Sequence, residues 1–192
     1  RLCHAASTSA MRATLGYGAS TCSYSDWLNA DLIVLFGSNT ANNQPVTVKY
    51  LHYAKKNGAA IAIVNPYREP GMMRYWVPST ASSALFGTDV ADYWFGVSHG
   101  GDIAFIYGVL KILIENRWYD ESFIAGHTSS FEGLKEAAEA CDWNALDQQS
   151  GLGREWMEEF ARLIRDAKTA VFVWSMGITQ HVFGGDAVQM IL

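Results

Sequence analysis

The sequence predicts an α/β fold, doubly wound, with a mostly parallel sheet and helices on both faces. Three observations carry that prediction. Asp31-Leu-Ile-Val-Leu-Phe36 and Ala60-Ile-Ala-Ile-Val64 are short apolar runs rich in β-branched residues, the pattern of parallel strands covered on both faces. A helical segment lies between them, and a third run of the same kind, Thr169-Ala-Val-Phe-Val-Trp174, comes late in the chain.

The elements follow in order. The first helix is predicted from Pro45 to Lys56. Proline suits a first turn, where its missing N–H would have no partner, and Gly58 provides the stop. Lys55 and Lys56 complement the negative end of the helix dipole. Strand, helix and strand over about 35 residues form a βαβ unit, which is right-handed in nearly every known case. Ala91–Val97 is predicted as an edge strand. Asp102–Glu115 is a helix whose Ile103, Ile106, Leu110 and Leu113 recur at helical spacing. Shorter helices are expected over Glu121–Ala125, Phe131–Ala140 and Glu155–Asp166, the last with Trp156, Phe160, Leu163 and Ile164 on one face. No repeat or low-complexity linker divides the chain, so residues 1–192 are read as a single α/β domain region.

With 192 residues, 49% hydrophobic and only 17% charged, the chain can bury a sizeable core. Its net charge of -5, with no basic tract, argues against a nucleic-acid or anionic-membrane partner. No apolar window of about 18 residues offers a membrane span, and a cytoplasmic location is expected. The chain begins at Arg1 and stops in the apolar run Met190-Ile191-Leu192. It is therefore expected to be an excerpt of a larger polypeptide, truncated at both ends. Cys3, Cys22 and Cys141 are spaced irregularly, without the CxxC or HxxxH pattern that closes a zinc or iron–sulfur site.

In open α/β sheets ligands bind beyond the carboxyl ends of the strands. The first strand is followed by Gly37-Ser-Asn39-Thr-Ala-Asn42-Asn-Gln44-Pro45. Gly37 permits close backbone approach, and the amides supply neutral donors and acceptors ahead of a helix amino terminus, an environment suited to an oxygen-rich or phosphorylated ligand. An ordinary Asn-rich capping turn explains the same composition equally well. After the second strand comes Asn65-Pro66-Tyr67-Arg68-Glu69-Pro70-Gly71, and after the third Ser175-Met176-Gly177-Ile178-Thr179-Gln180-His181. Three amide-rich, Gly-containing strand ends are harder to dismiss than one. Neither GxGxxG nor GxxxxGK[ST] follows the first strand, so the usual dinucleotide and P-loop readings lack support.

The amino terminus supplies a second candidate, Cys3-His4. A thiolate is a soft metal ligand or a nucleophile, and an imidazole moves protons near neutral pH. In extended chain adjacent side chains point apart, so one ligand plus one base is the better geometry. A packing Cys beside a hydrogen-bonded His is nonetheless the commoner occurrence of such a pair. Cys22 and Cys141 are read as packing residues, and His52 and His99 are given no role.

In order along the chain, Arg1-Leu2-Cys3-His4, the Gly16-Tyr17-Gly18 turn, Phe36-Gly37-Ser38-Asn39, Val64-Asn65-Pro66, Gly100-Gly101-Asp102-Ile103-Ala104 and Trp174-Ser175-Met176-Gly177-Ile178-Thr179-Gln180 resemble the catalytic subunit of molybdopterin-dependent oxidoreductases of the dimethyl sulfoxide reductase family, in their formate dehydrogenase alpha-subunit-like branch. The resemblance runs over nearly all of the chain. It implies a bis(molybdopterin guanine dinucleotide) cofactor carrying molybdenum or tungsten. It also implies that Cys3 is the protein ligand to the metal, and that His4 is the proton acceptor when formate is oxidised. Gly37, Asn39, Asn42, Asn65, Gly100, Asp102, Gly177 and Gln180 match cofactor-contacting positions. Asn42 and Asn65 each stand where the family more usually has Asp, Tyr67 where formate dehydrogenases have Arg (with Arg68 one place later), and Ala5 where they have Gly. The family's active-site Arg falls beyond the matched end, and any iron–sulfur cluster lies outside this chain. The implied partners are a small-molecule substrate, an electron-transfer partner and the remaining parts of the enzyme. The alternatives are a cofactor-binding module inactive in isolation and a metal-free dinucleotide-binding domain.

Overall fold

A computed structural model of the protein describes residues 3–78 and 80–192. Arg1 and Leu2 of the Cys-His motif lie outside the described residues. Contacts divide the chain into two compact units, one running to Gly96 and resuming over Ala167–Leu192, the other Val97–Asp166.

The first unit contains α1 (Ala5–Leu15), α2 (Tyr24–Trp27), β1 (Leu32–Phe36), α3 (Thr40–Asn43), α4 (Pro45–Lys56), β2 (Ala60–Val64), α5 (Pro70–Met73), β3 (Arg74–Tyr75), α6 (Ala81–Phe86), β4 (Thr88–Asp89) and β5 (Tyr93–Phe95). The second contains α7 (Asp102–Glu115), α8 (Glu121–His127), α9 (Phe131–Ala140), α10 (Trp143–Ser150) and α11 (Arg154–Asp166). The chain then returns to the first unit with β6 (Ala170–Trp174), α12 (Met176–Thr179) and α13 (Gly184–Ile191).

The main sheet has the order β5-β2-β1-β6 and every pairing in it is parallel. Strand β1 is central and buried at all five positions, which is why its sequence is a continuous apolar run rather than an alternation. Strand β5 lies at an edge, as expected from its weaker pattern. Val48, Leu51 and Ala54 of α4 join Ile33, Leu35, Ile61 and Ile63 of the sheet in one buried cluster. Pro45 begins α4, and Gly58 follows it in the left-handed region at φ 105°. At the amino end of the sheet, the Asp31 carboxylate accepts from Lys168 N, Thr169 N and Thr169 Oγ1 at 3.0–3.1 Å, tying the start of β1 to that of β6. These bonds, those from Thr169 foremost, hold its pKa below the ordinary carboxylate value.

Two helical faces differ from expectation. In α7, Phe105, Val109 and Ile112 are buried along with Ile106, whereas Ile103, Leu110 and Leu113 are only half-buried. Neighbours α9, α10 and α11 all pack on α7, so most of its circumference is enclosed rather than one stripe. In α11 the buried residues are Met157, Phe160 and Ala161, and Trp156 is 43% exposed. Phe160 meets Phe105 edge-on at 5.2 Å, and Met157 sits against Gly108, where any larger residue would collide. Among the described residues no helix is long and apolar enough to cross a membrane.

Candidate active site at the carboxyl edge of the sheet

The chain leaves β1 on one side toward β2 and returns on the other side as β6. The carboxyl ends of β1 and β6 therefore flank a reversal of strand order, the place where open α/β sheets form a ligand crevice. Because β1, β2 and β6 are parallel, the loops carrying Asn39, Asn65 and Gly177 emerge from one edge. Backbone bonds continue the ladder past the strand ends: Gly37 N donates to Val64 O at 3.0 Å, Asn65 N to Phe95 O at 3.1 Å and Ser175 N to Phe36 O at 3.2 Å.

At the reversal Gly37 and Gly177 touch backbone to backbone. Gly177 N donates to Gly37 O at 3.1 Å. A Cβ on Gly37 would lie 2.8 Å from the Gly177 backbone, and one on Gly177 would lie 2.6 Å from Gly37 O. Gly37 also has φ 53°, so glycine answers both a conformational and a steric demand there. Nearby, Asn39 caps α3, its Oδ1 accepting from Asn42 N at 3.3 Å. Asn42 is exposed. Asn65 Nδ2 donates to Tyr67 O at 2.8 Å. The two readings of the Asn-rich turn are thus compatible, since Asn39 caps with one atom and keeps its amide nitrogen.

Cys3 and His4 do not form extended chain. They make a turn leading into α1, and both are exposed. Thr179 Oγ1, at the end of α12, donates to the Cys3 carbonyl at 2.8 Å across 176 positions of sequence. One turn into α1, Ser7 Oγ accepts from Trp174 Nε1 at 2.8 Å. Helix α1 packs on α13 and α12. The Cys-His pair is therefore fastened to the carboxyl end of β6, the edge that also holds the Gly37–Gly177 contact. His4, Ser7, Thr8, Tyr24, Gln44 and Trp174 are among the residues bordering a cleft of about 620 Å³ there. Sequence reasoning gave Ser7 no role and named Thr179 only as part of the segment after β6, because the hydroxyl partners appear only once the fold brings them together.

Gln180 follows α12 as its carboxyl-end cap, with its N–H on Met176 O at 3.1 Å. Gly100 and Asp102 belong to the second unit. There Gly100 has φ 79°, Gly101 precedes α7, and Asp102 is a buried carboxyl in the first turn of that helix. Cys22 is exposed, contrary to a packing role, while Cys141 is half-buried with its Sγ donating to Ala137 O at 3.3 Å.

The residues present suit the group implied by the family resemblance. Cys3 is an exposed thiol whose backbone is pinned at the edge. No group of three His, Cys, Asp or Glu converges among the described residues. A metal at Cys3 would take one soft donor from this chain and the others from its cofactor, as a sulfur-coordinated metal does. The neutral amides of Asn39, Asn42 and Asn65 beside the strand ends suit a large polar ligand.

Protein YdeP of Escherichia coli (strain K12) is 29% identical over 203 residues, covering 100% of this chain and 27% of that protein. The F420-dependent formate dehydrogenase subunit alpha of Methanocaldococcus jannaschii is 30% identical over 191 residues, covering 100% of this chain and 26% of that one. The chain thus spans about a quarter of the length of these relatives. The acetylene hydratase structure from Pelobacter acetylenicus superposes with a TM-score of 0.75 at 21% identity, over 96% of this chain and 23% of that one, and shares its fold. The family model described as molybdopterin oxidoreductase matches residues 1–192. Formed by a parallel α/β sheet with its candidate site at the carboxyl edge, and matched over its whole length, this chain belongs to the molybdopterin oxidoreductase family.

Proposed function

We propose that this chain is the cofactor-facing α/β region of a formate dehydrogenase-like enzyme that oxidises formate or a similar small substrate by two electrons. The observation that carries the reading is the bond from Thr179 Oγ1 to the Cys3 carbonyl, 2.8 Å long. It ties the backbone of Cys3 to α12, beside the strand-end loops, and so supports reading its thiol as a soft donor there. The likeness to a protein named as a formate dehydrogenase subunit supports the substrate class. The bound group, a bis(molybdopterin guanine dinucleotide) with molybdenum or tungsten, supplies the redox chemistry.

The chain's own residues bind, orient and move a proton. Cys3 gives the thiolate ligand. Gly37 and Gly177 let the two strand-end backbones meet and so shape the edge that the cofactor would face, while Asn39, Asn42, Asn65 and Gln180 offer neutral hydrogen-bonding groups to it. Oxidation of formate to carbon dioxide releases a proton with its two electrons, and the exposed His4 imidazole accepts it. The electrons pass to a partner outside this chain, and any iron–sulfur cluster lies there too.

The test is substitution in the full-length enzyme. Cys3→Ala should abolish formate-dependent reduction of an artificial acceptor and alter the metal's spectrum. His4→Ala should retain the metal and slow turnover by about 100- to 10,000-fold. Cys22→Ala and Cys141→Ala should leave turnover nearly unchanged. Wild-type turnover with an unchanged metal spectrum in Cys3→Ala would sink the assignment.

A further inference from the structure

We infer that Met72 is a positioning residue which locks the loop after β1 to the loop after β2 and so presets the Asn39–Asn42 turn for the cofactor. The inference rests on the reading of that turn as a cofactor contact, but its structural half stands independently. Helix α3 is a single turn, and such a turn leaves its first N–H groups without intrahelical partners. Asn39 Oδ1 takes the N–H of Asn42. The N–H of Ala41 goes instead to a residue 31 positions away, donating to Met72 Sδ at 3.3 Å. Thr40 Oγ1 donates to the same sulfur at 3.2 Å. A thioether is ordinarily a weak acceptor. Here it receives two donors at once in a site from which water is excluded, since Met72 is 0% exposed and Thr40 and Ala41 are buried.

A second contact joins the same two segments. Gly71 lies so close to α3 that a Cβ on it would come within 2.8 Å of Ala41 Cβ. Gly71 has no left-handed φ, so glycine is required there by space alone. The other end of the connection is also anchored. Met72 O accepts from Ala91 N at 3.1 Å and Met73 O from Val90 N at 2.9 Å, in the segment leading into β5. Helix α5 thus bridges the edge strand to α3. Asn39 and Asn42 sit at the two ends of the capping bond in α3, and their geometry is set by the thioether behind them. A leucine at 72 would keep the volume and lose both acceptor contacts.

The experiment uses the full-length enzyme and two readouts. Amide hydrogen exchange follows residues 39–43, and molybdenum and releasable guanine nucleotide are measured per chain. Met72→Leu should speed exchange at Ala41 by roughly three- to tenfold, the equivalent of one ordinary hydrogen bond. Exchange within β1 and β6 should not change, and guanine nucleotide retained on dialysis should fall. Gly71→Ala should disturb the same amides by displacing α3, and Ala41→Gly added to it should restore them, a rescue that general destabilisation would not give. Unchanged exchange at Ala41 in Met72→Leu would overturn the coupling, and so would failure of the Gly71→Ala, Ala41→Gly pair to rescue. Altered exchange with full nucleotide retention would overturn the positioning role. A wild-type enzyme purified without molybdenum or guanine nucleotide would instead count against the proposed function, leaving the exchange result to judge the coupling.

Discussion

Substituting Gly177 by alanine tests the reversal point of the sheet most directly. The added Cβ would stand 2.6 Å from Gly37 O and 2.7 Å from Gly37 Cα. Both obstacles are backbone, so no side chain can swing away and the two segments must part by several tenths of an ångström. Overpacking of this kind costs about 1–3 kcal/mol. Parting also stretches the bond from Gly177 N to Gly37 O, now 3.1 Å, a loss of about 0.5–1.5 kcal/mol. Gly177 is exposed, and outward relaxation recovers part of the strain, so about 2 kcal/mol is expected. A multidomain enzyme unfolds in more than one step, and a single melting temperature would blur the effect. Native-state hydrogen exchange resolves it. The amides of Ser175, residue 177 and Ile178 should exchange about 30-fold faster, with molybdenum content falling alongside. Gly185→Ala is the control. No atom lies within 4 Å of its added Cβ, it falls within α13, and it should stabilise by about 0.5–1 kcal/mol. Wild-type protection and metal content in Gly177→Ala would refute the claim that these backbones are held in contact.

Three further outcomes are expected. Asp31→Asn should weaken the pairing of β1 with β6 at neutral pH. The Asp31 pKa lies below its ordinary 3.8 because of the bonds from Thr169, so its contribution is present above that value and is lost as acid protonates the carboxylate. The gap between variant and wild type, followed by exchange of β1 amides, should therefore close below about pH 4. His52→Leu should flatten stability in mild acid. Burial first and Lys56 second lower the His52 pKa from 6.5, and its buried Nε2 has no hydrogen-bond partner. The unfolded chain binds the proton more readily, so wild-type stability falls as pH drops below 6.5, and denaturant titrations at pH 7.5 and 5.5 should differ less in the variant. Gly133→Ala, in α9 with no atom near its added Cβ, should stabilise the second unit by about 0.5–1 kcal/mol, read as slower exchange in α9.

Local signals in the sequence were enough for the strands of the main sheet and for the helices Pro45–Lys56, Asp102–Glu115 and Phe131–Ala140, whose observed bounds coincide with those expected. Each is written in short-range chemistry: a continuous β-branched run for a doubly covered strand, a proline at the first turn, a glycine past the last. The resemblance likewise identified the family, because its motifs are ordered along the chain. Other elements were not legible. Helix α1 is rich in Ala, Ser and Thr and buries only Ala10 and Met11, so it shows little periodicity. Helix α10 is largely polar, and α13 opens on two glycines. The exposure of Trp156 and the near-complete enclosure of α7 depend on how many neighbours arrive, which hydrophobicity along one helix does not report. Strand order, the Gly37–Gly177 contact, the bond from Thr179 to Cys3 and the double acceptance at Met72 were decided only by the tertiary structure. Each joins groups far apart in the chain, and each depends on which strands end up beside β1. Short-range preferences determine which segments become strands and helices. Which strand ends share an edge is set by packing all of them at once, and no single segment carries that information.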